Sequence, residues 1–318
     1  MSAFSTAGAP LLLLAGSSNR PLAEQIAGYL GVQLGDAEIG RFPDGEVRIK
    51  LKSDVRGADV FLIQSTCSPV NDHLMELLIM ADACRRASAL RVTAVVPYFG
   101  YSRQDRKDEG RVPISAKLVA NLIEAAGVHR VVTIDLHAAQ IQGFFDIPVD
   151  HLFASRVFIK YLRQLALEDL VIASPDVGGM KMAWGYTKRL DDAKLAVIEK
   201  RRLSGEHVEV GFVIGEVKDK NVVLVDDIIS TGGSVAKAAE LLREKGAKRV
   251  YVMATHPVLC GRAVEKLRGA PVQEILVTDT IPTTAAIERL RVLSVAEMLG
   301  EAVHRIHSNK SVSTLFQA

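Results

Sequence analysis

Short β-branched runs separated by longer helical stretches recur along the whole chain, and this rhythm constrains the fold more than any single residue. The runs are "DVFLIQS", "RVTAVVPYF", "RVVTIDLH", "LVIASPD", "KLAVIEK", "NVVLVDD", "RVYVMATHP" and "EILVTDT", and "VNDHLMELLIMADACRRA" fills the interval between the first two. Strands that read as near-continuous apolar runs are buried on both faces, as in parallel sheets built from βαβ units. Many of the runs end in a polar cluster. Open α/β sheets bind ligands at the carboxyl ends of their strands, so "QST", "PYFGYSRQDR", "DLHAAQ", "SPDVGG", "DDIISTGG" and "ATHP" are expected to line that edge.

A weak internal repeat refines the expectation. "ADVFLIQSTCSPVNDHLMELLIMADACRRASALRVTAVVPYFGY" and "KNVVLVDDIISTGGSVAKAAELLREKGAKRVYVMATHPVLCGR" share strand, polar loop, helix, strand and polar loop at nearly equal spacing. The 318 residues leave room for two domains of ordinary size. We expect two similar α/β domains, each a mainly parallel sheet flanked by helices, over 1–150 and 151–318. The boundary is placed near "DIPVDHLF", where a proline follows a helical stretch, and the C-terminal tail is a candidate to pack back on the first domain.

Composition excludes several function classes. Lys and Arg total 39 against 37 Asp and Glu, so there is no global basic field to drive nucleic-acid binding. The three cysteines, Cys67, Cys84 and Cys260, are odd in number and widely spaced, which reads as reduced thiols of a cytosolic core. "LLLLA" at 11–15 is too short for a signal or membrane segment and reads as a buried strand. The expectation is a cytoplasmic protein with no membrane partner.

The chemistry concentrates in "VDDIISTGGS" at 225–234. A glycine turn opening a helix offers backbone N–H groups and a positive dipole end to phosphate, whereas Asp226 and Asp227 would repel it. A phosphorylated sugar satisfies both halves. Carboxylates accept from sugar hydroxyls, and Thr231, Gly232, Gly233 and Ser234 donate to the phosphate. An ordinary helix cap beside two solvated aspartates remains the alternative. Other segments also have plain readings: "FPDGE" as a tight turn, "RQDRKDEGR" as a solvated loop, His137 as a turn histidine, Asp176 as a helix cap, and the "EKRR" hairpin as a solvated turn.

The strand, acidic pair and Thr-Gly-Gly-Ser turn resemble the signature of type I phosphoribosyltransferase folds. "FPDGE", "YSRQDRKDEGRVPISAKL", "DLHAAQIQGFFDIPVDHL", "SPDVGG", "EKRR" and "SVSTLF", in that order from about residue 10 to the C-terminus, are similar to the ribose-phosphate diphosphokinase family. The resemblance implies transfer of the β,γ-diphosphoryl group of ATP to the C1 hydroxyl of ribose 5-phosphate, giving 5-phosphoribosyl 1-diphosphate and AMP. It also implies that Phe42, Asp44, Gly45, Glu46, Arg103, Gln104 and Asp105 bind ATP, with Phe42 stacked on adenine. It assigns Mg²⁺ to His137 and Asp176, and catalysis to Lys200 and Arg202 on a mobile flap. Ribose 5-phosphate falls to Arg202, Asp226, Asp227, Ser230, Thr231, Gly232, Gly233 and Ser234. Ser311 and Ser313 resemble contacts to a regulatory phosphate, and the family suggests a homo-oligomer, dimers assembled into a hexamer. Two positions depart from the common pattern: Val177 where a histidine often follows the Asp, and Ser230 where a third Asp is usual. A base phosphoribosyltransferase and a silent regulatory subunit are the competing readings. No G-x-x-x-x-G-K-[ST] and no G-x-G-x-x-G occurs in the chain, which removes P-loop kinases and nicotinamide enzymes.

Overall fold

The computed structural model describes residues 8–202 and 209–316, without the side chains of 200–202 and 209–210. The chain divides into two units: the described residues through Phe153 with Thr280–Pro282 and the segment from Ser294 onward, and Ala154–Asp279 with Thr283–Leu293.

The N-terminal unit runs β1 (Leu11–Ala15), α1 (Arg20–Leu30), β2 (Ala37–Arg41), β3 (Val47–Leu51), β4 (Asp59–Ile63), α2 (Val70–Arg86), β5 (Arg91–Val96), α3 (Ser115–Ala125), β6 (Arg130–Ile134), a 3₁₀ turn (Ala139–Phe144) and β7 (Val149–Leu152). The sheet order is β1-β4-β5-β6-β7, all neighbours parallel, and β2 and β3 form a separate antiparallel ribbon. "LLLLA" is the edge strand β1, and "DIPVDHLF" holds a strand, β7, paired with β6. The period of two divides each strand between the two faces. Val60, Leu62, Val92, Ala94 and Val96 join Leu77, Met80, Ala116 and Val119 of α2 and α3 in one core.

The C-terminal unit runs α4 (Ser155–Leu165), β8 (Leu170–Ser174), α5 (Met180–Thr187), β9 (Lys194–Arg202), β10 (Glu209–Ile214), β11 (Asn221–Ile229), α6 (Gly233–Glu244), β12 (Arg249–Pro257), α7 (Ala263–Gly269), β13 (Glu274–Thr278) and β14 (Leu290–Leu293). The last helix, α8 (Ala296–His307), belongs with the N-terminal unit. The sheet order is β10-β9-β8-β11-β12-β13-β14.

The two units share one plan. Matching β1, β4, β5, β6, β7 to β8, β11, β12, β13, β14 reproduces the strand order, and the ribbon β2–β3 corresponds to the antiparallel pair β9–β10. The C-terminal unit differs in adding its hairpin to the sheet edge through parallel pairing of β9 with β8. From β8 the chain goes to β9 on one side, while on the other side lies β11, paired directly with β8. That reversal is a topological switch point, where strand ends leave a crevice.

Candidate active site

In the N-terminal unit "FPDGE" is the tip joining β2 to β3. Phe42 N donates to Glu46 O at 2.8 Å, Gly45 N to Phe42 O at 2.9 Å, and Glu46 N to Asp44 Oδ1 at 3.1 Å. Gly45 has φ of 96°, a conformation that side chains with a Cβ resist. The tight-turn reading therefore holds, and it leaves the Phe42 ring 48% exposed. Arg41, which sequence reasoning passed over, fastens the turn. Its Nη1 donates to Gly45 O at 2.9 Å, and its Nη2 meets Asp72 Oδ2 in the first turn of α2 at 2.7 Å. Its position next to "FPDGE" was the available signal.

The "RQDR" loop leaves β5 through Gly100, where a Cβ would lie 2.4 Å from Thr66 O, so glycine alone permits this approach. Arg103 and Gln104 are exposed. Gln104 Oε1 accepts from Ser115 Oγ at 2.5 Å, and Asp105 Oδ2 accepts from Gln140 Nε2 at 2.6 Å. Gln140 sits on the 3₁₀ turn that follows His137, so Asp105 ties the two loops together. Exposed His137 lies beyond β6, on a segment held where Leu136 N donates to His151 Nε2 at 2.9 Å.

In the C-terminal unit Asp176 follows β8, and its Oδ1 accepts from Gly179 N at 2.9 Å, as a helix cap does. Asp226 and Asp227 are part of β11 rather than of the turn, because the ladder with β12 continues to Ile228–His256 and Ile229–Pro257. The turn is Ser230–Gly232. Gly232 has φ of 71° and occupies the N-cap position, so α6 begins without a side-chain cap for the N–H groups of its first turn. Ser230 Oγ lies 3.3 Å from Cys260 Sγ. Cys260 is exposed, whereas Cys67 and Cys84 are buried as the core reading expected, with burial pushing their thiols up to about 11 and about 12.

Electrostatics single out this edge. Burial, then the charge of Asp227, its side-chain hydrogen bond and the charge of Asp176, push Asp226 up to about 8, against the opposing bond from Asp227 N. Carboxylates crowded this way store repulsion that a cation or hydroxyl donors would relieve. Among the described residues no three His, Cys, Asp or Glu side chains form a protein-only metal cage. A hard cation here would draw part of its coordination from substrate oxygens, as Mg²⁺ commonly does.

The side chains of Lys200 and Arg202, and hairpin residues 203–208, lie outside the described residues; the backbone of Lys200 and Arg202 ends β9, paired with Gly211 and Glu209. Ser311 and Ser313 bond to each other at 2.8 Å in the N-terminal unit, and Ser311 O accepts from Arg305 Nη1 at 3.1 Å.

Comparison with known proteins places this geometry in context. Residues 11–127 match a family model described as the N-terminal domain of ribose phosphate pyrophosphokinase, and 203–317 match the phosphoribosyl synthetase-associated domain. A ribose-phosphate pyrophosphokinase from Nostoc sp. is 54% identical over 309 residues, covering 96% of this chain and 94% of the relative. One from Rhodopirellula baltica is 54% identical over 312 residues, covering 96% and 98%. The crystal structure of phosphoribosylpyrophosphate synthetase from Mycobacterium smegmatis superposes with a TM-score of 0.90 at 42% identity, over 94% of this chain and 99% of that one.

Proposed function

The chain belongs to the ribose-phosphate pyrophosphokinase family, and from that premise we propose how its own residues carry out the family's chemistry. It is an enzyme that transfers the β,γ-diphosphoryl group of ATP to ribose 5-phosphate. The C1 hydroxyl oxygen bonds to the β-phosphorus, the bond from that phosphorus to the bridging oxygen breaks, AMP leaves, and the hydroxyl proton passes to solvent. Neither competing reading has comparable support, since the relatives named for this reaction match end to end.

Phe42, Asp44, Gly45 and Glu46 with Arg103, Gln104 and Asp105 are assigned to ATP. The exposed ring on a fastened turn supports stacking on adenine, and a guanidinium fork suits its phosphates. Asp226 and Asp227 are assigned to the ribose hydroxyls, and Ser230, Thr231, Gly232, Gly233 and Ser234 to its phosphate. The single observation that carries this assignment is the uncapped helix α6 beginning beside a crowded carboxylate pair at the sheet's switch point. Lys200 and Arg202 are assigned to charge developing on the transferred group, and Arg202 also to the sugar phosphate.

His137 and Asp176 are proposed to hold Mg²⁺, a hard cation that suits carboxylate and phosphate oxygens and would neutralise charge on the transferred phosphates. The protein's share of catalysis is then alignment: the carboxylates orient C1, and the turn anchors the far end of the sugar. Ser311 and Ser313 are proposed to contact a regulatory phosphate. Self-association, with a hexamer as the expected state, is supported by Ile114 at the N-cap of α3 and Leu118 and Leu122 on that helix, exposed at intervals of four, with Met75 exposed on α2. A cytoplasmic setting is supported by three free cysteines. The deciding experiment measures AMP and 5-phosphoribosyl 1-diphosphate formed from ATP. Product that needs both ribose 5-phosphate and Mg²⁺ is expected, and AMP release without the sugar would contradict the reading.

A further inference from the structure

The phosphate turn has a second wall that no motif announces. Leu259 N donates to Ile229 O at 2.9 Å and Cys260 N to Ser230 O at 3.0 Å, which zips the segment after β12 along the start of the turn. The contact continues into α7. A Cβ on Gly232 would lie 3.3 Å from Ala263 O and 3.4 Å from Leu267 Cγ. A Cβ on Gly233 would lie 3.3 Å from Lys266 Nζ and 3.9 Å from Thr231 Oγ1. Lys266 is exposed, and its ammonium lies beside the first residue of α6, next to the donors of the turn.

Its surroundings do not explain that placement. On the same helix face Arg262 and Glu265 satisfy each other through two bonds of 2.8 and 2.6 Å, and among the described residues no ion pair includes Lys266. A cation at a helix N-terminus adds positive charge to the positive end of the dipole, the reverse of the usual preference. The arrangement becomes favourable when an anion lies between the ammonium and the uncapped N–H groups. Charge balance points the same way. A phosphate monoester carries about −1.5 to −2 at neutral pH, and the same strand edge already bears Asp176, Asp226 and Asp227. The turn itself offers neutral donors only, so that even with Arg202 assigned to the phosphate part of its negative charge would stay uncompensated.

We propose that Lys266 is a further substrate-binding residue, its ammonium closing the Ser230–Ser234 turn over the 5-phosphate of ribose 5-phosphate. The inference rests on assigning that turn to the sugar phosphate, and its test is separable from the test of turnover. Calorimetric binding of ribose 5-phosphate and of unphosphorylated ribose is compared for wild type, Lys266→Ala and Lys266→Arg, each checked for folding by circular dichroism. Expected are a loss of about five- to tenfold in ribose 5-phosphate affinity for Lys266→Ala, recovery to within about twofold for Lys266→Arg, and the same ribose affinity in all three. In steady state the KM for ribose 5-phosphate should rise with that loss, while kcat and the KM for ATP stay within about twofold. Ribose 5-phosphate bound equally by wild type and Lys266→Ala would overturn the proposal, as would equal weakening of ribose and ribose 5-phosphate. If the wild type formed no AMP, the activity reading would fail and the binding comparison would still decide Lys266.

Discussion

Phe42 leaves almost half its surface in water at a turn whose backbone bonds require nothing from the ring. Removing the ring should therefore cost little folding energy and much ligand energy. Phe42→Ala is expected to weaken ATP by about 1–3 kcal/mol, the range for base stacking on an aromatic side chain, with ribose 5-phosphate binding unchanged and stability within about 0.5 kcal/mol. Calorimetry showing equal losses for both substrates would assign the ring to packing. Asp226 is the opposite kind of residue, costly to the fold and proposed to hold the ribose hydroxyls. Its folded-state pKa lies above the ordinary carboxylate value, raised by burial and by Asp227. The stability it contributes is thus fully present below about pH 4 and is lost as pH rises through its folded-state pKa. Asp226→Asn removes that titration. The mutant's melting temperature minus that of wild type should grow between about pH 5 and pH 9, while activity is lost; a pH-independent difference would refute the crowding.

At the scale of elements, strand ends in the N-terminal unit are tied by a buried charge network. Asp59 opens β4 and is fully buried; Arg91 opens β5 and meets it through Nε at 2.8 Å and Nη2 at 2.7 Å. Helix α8 joins the network through His307 Nδ1, 2.8 Å from Asp59 Oδ2, and through Ile306 O, which accepts from Arg91 Nη2 at 3.1 Å. Such a network specifies where α8 docks more than it stabilises, because desolvating the charges offsets most of their attraction. Removing one partner is a different matter. Arg91→Leu should cost about 3–5 kcal/mol in urea unfolding, since it takes the guanidinium fork from the buried Asp59 carboxylate and leaves it the His307 ring, and Asp59→Leu combined with Arg91→Leu should cost less than either change alone. An additive double mutant would show that the two side chains do not share one network.

At the scale of the whole molecule, each unit has its own apolar core, and the chain completes the first only after finishing the second. Met298, Leu299, Val303, Ile306 and Leu315 are buried in the N-terminal unit. At about 1.5–3 kcal/mol each, these five side chains contribute on the order of 10 kcal/mol, comparable with the whole stability of a typical domain, about 5–15 kcal/mol. A chain ending at Leu293 should therefore leave the N-terminal unit unfolded while the C-terminal unit persists. Limited proteolysis of that truncation should yield a resistant fragment beginning near Ala154. A resistant fragment beginning near Leu11 would show that the N-terminal core does not need α8.

The sequence by itself determined the features that depend on a few neighbouring residues. Apolar β-branched runs marked the parallel strands, Pro-Asp-Gly marked the turn before Glu46, and Thr-Gly-Gly-Ser marked a helix start. The repeat was legible because both units spell strand, loop and helix at the same spacing. Tertiary structure decided what depends on residues far apart in the chain. The switch point between β8 and β11 comes from strands that are about fifty residues apart, paired as Asn221 with Leu170. Extension of β11 through the aspartates needs β12 as its hydrogen-bonding partner. Arg41 on Asp72, Gln140 on Asp105 and Lys266 over Gly233 are contacts that no local pattern encodes. The raised pKa of Asp226 likewise exists only once folding has desolvated it beside Asp227 and brought up Asp176. Backbone preference and turn chemistry act within a turn or a strand, whereas charge, burial and strand order are set by which surfaces meet, and those meetings are properties of the folded chain.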